Sequence, residues 1–488
     1  MRSLEAAFGE QAQRGVDVAI GNGASYADAR VLDMAGERCS VRDGEVEGVI
    51  QSTSIGIGLR VIADGCWGFA ATRDLDATSV EAAARLALQV ARSGALLGPA
   101  PPRLAPVDPT IAFWSNVVME DPFAVALEEK IALLVAATLR MRSVPGVSVA
   151  EAGLAAWRRH SLLVTSEGSR IEQRIVQCGG GIEATAVGES EAQNRSYPNS
   201  FGGDFGTEGF ELIRRLDLVG NAERVGREAV MLLHAPPCPS GVTTVVLDGS
   251  QVALQVHESI GHPIELDRVL GMEAAYAGTS FLTPSDVGRL RYGSPQLHVV
   301  ADATTPGALG TFGFDDEGVA AGCTPIVSEG VLTGMLTSRE LAGEIGMAHS
   351  GATVRAQSWA HLPMIRMTNV SLLPGSAGSL DELLDGVDDG LYLETNRSWS
   401  IDDRRVDFQF GTEWAREIKG GRLGRVVRNA TYTGRTLAFW ASLDAVGGPD
   451  LWRAWGLPNC GKGQPPQIGY VAHGAAPARF RNVQVGTP

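Results

Sequence analysis

The sequence contains no stretch approaching the roughly 18 uninterrupted apolar residues of a membrane-crossing helix, which leaves its hydrophobic residues for packed cores. It has no basic excess either. Lys and Arg number 41 against 56 Asp and Glu, a formal net charge of −15. A surface of that sign repels a phosphate backbone, and no local block of Lys or Arg opposes it, so direct nucleic-acid binding is not expected. Cysteine is scarce and scattered: Cys39, Cys66, Cys178, Cys238, Cys323 and Cys460 show no paired spacing, which argues against a disulfide framework. A lone Cys of this kind is ordinarily a small buried hydrophobe. The opening MRSLEAAFGEQAQRGVDVAIGNG has acidic residues and no apolar core, so it does not read as a signal peptide, and the expected location is cytoplasmic. Internal repeats and low-complexity tracts are also missing.

What is present is glycine, 60 residues against 24 prolines, the mark of many turns and short strands. At 488 residues the chain is too long for one core, and two or three domains are expected. Apolar spacing predicts a helix over 4–20, a strand meander over 26–62 turning at Arg42-Asp43-Gly44, and a helix over 78–92. The segment 96–110 carries five prolines and reads as a linker. A second block follows, with helices near 122–142 and 207–233 and strands near 147–153, 161–166 and 170–187, closing at the proline-rich 234–241. From Val242 onward, short alternating runs such as VTTVVLD and QLHVVAD lie between Gly-rich turns. The fold class expected is α+β: a mixed N-terminal region followed by a β-rich C-terminal domain carrying a metal-binding helix. The segments are 1–98, 110–234 and 242–488.

That helix begins near Gly249-Ser250 and runs into Gln255-Val256-His257-Glu258-Ser259-Ile260-Gly261-His262, an HExxxH sequence. It is one residue longer than the HExxH of many zinc peptidases. At roughly 100° per residue, positions i and i+5 diverge by about 140° on an α-helix, so two imidazoles could share a metal only if the helix deforms. A π-type turn would do this, and Gly261 and Pro263 mark a place for irregular backbone. Otherwise the run is two unrelated histidines. Glu258, beside rather than spaced as a ligand, suits a general base; its alternative is a solvated surface carboxylate. A catalytic zinc site needs a third protein ligand. On spacing alone Glu265 and Asp267 are candidates, and Cys460, in the Gly-rich PNCGKGQ, could offer a thiolate stabilised by metal and Lys462.

HESIGH at 257–262, Asp315-Asp316-Glu317-Gly318, AHLPMIRMTN at 360–369 and Asn459-Cys460-Gly461-Lys462, together with the N-terminal GIGLRVIADGCWGFAAT, resemble the TldD/PmbA metallopeptidases over nearly the whole chain. The resemblance implies one Zn2+ per chain on His257, His262 and Cys460, with Glu258 as catalytic acid/base. It implies hydrolysis of unfolded peptides or trimming of a peptide precursor, within a homodimer or a heterodimer with a PmbA/TldE-like paralogue. The alternative is a non-degradative maturation or regulatory binding partner in such a complex. His361 and Arg366 could line the cleft and polarise the scissile carbonyl, or brace the sheet beneath it. The acidic turn 315–317 could bind basic groups of a substrate, or simply join two strands. After His262 this chain reads PIELDRVLGMEAAYAGTSFL where better-known relatives have a Gly-rich continuation, so the loop beside the site is expected to differ.

Overall fold

The computed structural model describes residues 3–98, 100–276 and 278–486; Met1 and Arg2 of the N-terminal reading, Pro99 of the linker, Ala277 of the post-His262 loop and the last two residues of the 242–488 segment lie outside them. Helix α1 (Leu4–Gly21) is started by Ser3, whose hydroxyl accepts the Ala6 amide. The strands β1 (Tyr26–Arg42), β2 (Glu45–Ala63) and β3 (Cys66–Thr72) form the meander. Its two turns are Asp43-Gly44 and Asp64-Gly65, each with positive φ at both residues (51° and 87°, 53° and 77°). This is the geometry whose twist matches a tight hairpin and which Asp-Gly adopts at low cost. Helix α2 (Ala77–Ala95) follows an Asp76 cap.

After the proline-rich segment come β4 (Ile111–Ser115), α3 (Leu127–Arg142), β5 (Val147–Thr165), β6 (Arg170–Val187), β7 (Ala192–Tyr197) and β8 (Asp204–Gly206). The expected strands 147–153 and 161–166 are one strand, and α3 starts five residues later than the spacing suggested. The expected 207–233 helix is two, α4 (Glu211–Leu216) and α5 (Leu218–His234). Asp217 separates them in the left-handed region (φ 46°), and its carboxylate accepts the Gly220 amide to start α5. That is the local bonding through which Asp competes with helix continuation.

The blocks on either side of the proline-rich segment share one sheet. Among the described residues its path is β3-β2-β1-β5-β6-β4, with β7 and β8 also on β6, and β1 pairs β5 without interruption from Asp28↔Thr165 to Arg42↔Glu151. Ala27, Ala29 and Val31 of β1 pack with α1 and α2. Cys39 and Val41, on the same face further along, join the core of α3 and α5. The opposite face, carrying Arg30, Arg60, Arg159 and Gln173, meets the C-terminal domain. The period-two alternation of strands thus sorts an apolar face from a polar, interlocking one.

The C-terminal domain opens with β9 (Gly241–Leu247) and helix α6 (Gly249–Val256). Short strands follow: β10 (Val299–Asp302), β11 (Cys323–Ser328), β12 (Val331–Leu332), β13 (Val354–Arg355), β14 (Met364–Ile365) and β15 (Val370–Leu372). The longer ones are β16 (Asp389–Ile401), β17 (Asp407–Lys419), β18 (Arg422–Val427), β19 (Thr431–Arg435), β20 (Leu443–Val446), β21 (Arg453–Lys462), β22 (Gln467–Ala475) and β23 (Ala478–Val485). The main sheet runs β16-β9-β23-β19-β17-β18, while β21 and β22 form a separate two-stranded ribbon. The chain is therefore α+β with a β-rich C-terminal domain. No helix among the described residues is long and apolar enough to cross a membrane.

Candidate metal centre

Asp248 starts α6 by accepting the amides of Ser250 (3.0 Å) and Gln251 (3.1 Å), and all eight residues of the helix are buried. At His257 the pitch changes. Residues His257–Gly261 form a π turn, closed by the His262 amide donating to the His257 carbonyl at 3.1 Å. The sequence explains the irregularity. In an α-helix the Ser259 carbonyl would take the amide of residue 263, but that residue is proline and has none. The Tyr292 hydroxyl donates to this carbonyl instead, at 2.5 Å. Gly261 is required by close approach, since a Cβ there would stand 2.1 Å from Met367 Sδ. The Ser259 hydroxyl accepts from Gln255 Nε2 and Trp440 Nε1, both at 2.9 Å. We predict that Tyr292→Phe, which leaves a buried carbonyl without its donor, destabilises the chain by about 1–3 kcal/mol, measured by chemical denaturation.

The π turn places His257 and His262 side by side, ring centroids 4.7 Å apart and nearly perpendicular. Cys460, from β21, completes a group whose donor atoms all lie within 4.8 Å of one another, with Cys460 Sγ 4.0 Å from His262 Nε2. Zinc bonds of about 2.0–2.3 Å would draw these atoms in by roughly an ångström. All three residues are buried. Two imidazoles and a thiolate are a donor set that zinc accepts.

One proton arrangement satisfies the shorter contacts of these rings, those within 3.0 Å. His473 Nδ1 donates to the Val370 carbonyl at 2.7 Å, leaving its Nε2 to accept from His257 Nδ1 at 2.8 Å. His262 Nδ1 donates to Glu265 Oε2 at 3.0 Å. Both rings then carry their free lone pair on Nε2, and the outer partners fix tautomer and orientation as they do around bound metals. Burial pushes His257 down to about 4 and also lowers His262, so both are neutral near pH 7. Burial alone would raise the Cys460 thiol, but Arg366 and His262 outweigh it and hold it below its ordinary value. Burial would likewise raise Glu265, yet Lys462, His262 and Arg268 keep it well below the usual carboxylate range. Glu258, also buried, has its Oε2 held by Arg405 Nη1 at 2.6 Å.

Three domain descriptions match the chain in order: PmbA/TldA metallopeptidase domain 1 over 27–91, the central domain over 120–233 and the C-terminal domain over 240–487. A metalloprotease of Methanothermobacter thermautotrophicus is 30% identical over 465 residues, 94% of this chain and 95% of its relative. The chain belongs to the PmbA/TldA metallopeptidase family. A zinc metalloprotease TldD homolog of Saccharolobus solfataricus is 27% identical over 212 residues, 42% of this chain and 44% of that protein. Among solved structures, TldE from Thermococcus kodakarensis matches with a TM-score of 0.72 at 14% identity, covering 98% of this chain and all of the other; that likeness shows the fold.

Within this PmbA/TldA chain the residues singled out from sequence fall into two groups. The donor atoms of His257, His262 and Cys460 lie within 4.8 Å of one another, and Glu258, next to His257 in the chain, is buried on Arg405. Glu265 and Asp267, weighed as ligands, stand behind the donors instead: Glu265 on His262, and Asp267 on Lys462 Nζ at 2.7 Å. Lys462 is committed to that acidic pair and to the Ile365 carbonyl. Of the cations acting on the Cys460 thiol, Arg366 lowers it most. Arg366 also donates to the main-chain carbonyls of Cys460 and Gln467. His361 is half-buried, its Nδ1 2.6 Å from Ser358 Oγ, with its carbonyl accepting from Arg30. In the acidic turn, Asp315 accepts the amides of Glu317, Val319 and Val354; Asp316 pairs with Arg30, and Glu317 with Arg60. The turn therefore locks the C-terminal domain to the long sheet. The loop after His262 supplies Asp267, Met272, Glu273 and Tyr276 to a cavity of about 450 Å³ that Met364 and Trp67 also line. Sequence reading missed His473, Arg405 and the Tyr292–Trp440 support; their one signal was polar or aromatic type at positions bound for burial.

Proposed function

We propose that this chain is a zinc-dependent peptidase acting on unfolded peptides, with His257, His262 and Cys460 as ligands and Glu258 as general acid/base. The carrying observation is that, among the described residues, three metal-competent donors and no fourth meet at one point, next to a buried carboxylate that is not a ligand. Structural zinc sites close with four protein ligands, whereas catalytic ones leave a position open. This favours the enzyme over a binding partner with a structural metal. Bound zinc would supply a Lewis acid for the scissile carbonyl and the attacking water. Glu258 takes the water's proton on a carboxylate oxygen and returns it to the leaving amine. Arg405 orients that carboxylate, and His473 and Glu265 hold the imidazoles. An extended peptide read through its backbone suits the β21–β22 ribbon that carries Cys460, and a second subunit, identical or TldE-like, would enclose it.

The test is reconstitution of the chelator-stripped full chain. Cleavage of unstructured peptides should rise with added zinc to one per chain and leave folded proteins intact. Inactivity at full loading, alone and with a TldE-like partner, would leave the binding reading. Proton stoichiometry gives a second check. With both imidazoles already neutral, zinc uptake near neutral pH should release at most about one proton, from Cys460. The apparent affinity should then fall about tenfold per pH unit as pH drops below the thiol's own value. Competition titrations against a buffered chelator between about pH 6 and 8 measure the slope; a two- or three-proton slope would contradict the assignment.

A further inference from the structure

Between the long sheet and the C-terminal domain lies a cavity of about 60 Å³, lined by three guanidinium groups, Arg159, Arg355 and Arg366, and a single carboxylate, Asp316. That carboxylate is already taken by Arg30 and by the Ala356 amide. Arg355 directs Nη1 and Nη2 at the carbonyls of Tyr470 and Met367. Arg366, 2% exposed, directs its own at Gln467 and Cys460. The Nε–H groups of both arginines are buried with no partner. A Cβ on Gly469, which also lines the cavity, would stand 2.5–2.8 Å from Arg366 Nη2, Nε and Cζ, so the glycine lets the guanidinium lie against the backbone at the cavity wall. Clustered like charges with unsatisfied donors are unfavourable unless an anion joins them. Consistent with this, burial and the charges of Arg366 and Arg159 hold Arg355 down to about 9.

We infer that this cavity is an anion subsite that receives a carboxylate of the bound peptide. A planar carboxylate offers two oxygens to donors of this kind, and 60 Å³ admits such a group but little more. Arg366 reaches from the cavity to the Cys460 carbonyl, so a peptide anchored here lies one side chain from the metal donors. The inference rests on the peptidase reading for its ligand class. The carboxylate is either the chain terminus or an Asp or Glu side chain.

The experiment uses the zinc-loaded full chain carrying Glu258→Gln, so that binding is read without turnover. Fluorescently labelled peptides of one sequence are compared by anisotropy: a free C-terminal acid, its amide, and the amide with one internal Glu. At least about tenfold tighter binding of the free acid assigns the subsite to the terminus; the same preference for the Glu-containing amide assigns it to an acidic side chain. Adding Arg355→Gln should abolish either preference, with Arg355→Lys retaining part of it. Equal binding of all three, binding of none, or discrimination that survives in a folded Arg355→Gln protein would overturn the inference. If Arg355→Gln does not fold, the three-peptide comparison decides alone. The peptidase reading fails separately, if Glu258→Gln cleaves as fast as the parent chain.

Discussion

Exchange of Glu258 for Gln is expected to lower kcat about 100- to 10,000-fold, the range that general acid–base catalysis contributes, while the zinc content stays unchanged. The side chain is 7% exposed and ends 2.6 Å from Arg405 Nη1. Gln keeps the length of Glu and an oxygen for that guanidinium, so the π turn and the three donors are undisturbed. What the amide lacks is the capacity to take a proton and return it. Peptide turnover and metal analysis on one preparation separate the outcomes. A fall in both would make Glu258 a structural prop, and an unchanged kcat would remove it from the mechanism.

Trp440→Ala is expected to cost about 3–5 kcal/mol, the range for emptying a buried aromatic site, and to lower zinc occupancy with it. Trp440 is fully buried, with ring neighbours Phe439 and Phe480 at 5.9 and 5.6 Å. Its indole Nε1 donates to Ser259 Oγ in the middle of the π turn. Alanine would therefore open a cavity and release the turn that aligns His257 with His262. Trp440→Phe restores most of the volume without the donor, so it should recover most of the stability and less of the metal affinity. Denaturant midpoints and zinc per chain report the two effects separately. A loss below about 1 kcal/mol for alanine would mean that the turn is held from elsewhere.

The local signals in the sequence were strong where short-range chemistry decides. Asp43-Gly44 announced its hairpin, and the five-residue spacing of His257 and His262 demanded the distortion that the structure contains. Pairing across distance left no such trace. Nothing near residues 96–110 indicates that β1 and β5 will form one ladder, because the proline run breaks local periodicity without limiting which strands meet later. Asp217 was hidden inside a helical apolar pattern, where its capping role depends on one backbone angle. Cys460 lies 198 residues from His262, and its place as a ligand rested chiefly on family resemblance. His473 and Arg405 could not be read at all: a histidine in a strand and an arginine in a turn acquire meaning only from what they face.

Strand β23 lies between β9 and β19, in the interior of the C-terminal sheet, and β9 leads directly into α6. During synthesis the His257–His262 run therefore leaves the ribosome well before the strand that fixes its platform. At about 5–20 residues per second, the 216 residues from 262 to 478 (478 − 262) take roughly 10–40 s to translate. Until residue 460 is made the growing chain has its two imidazoles but not the thiol partner, and until residue 478 it lacks the strand that completes the sheet. The three metal donors are therefore assembled only late in synthesis, when the C-terminal sheet closes.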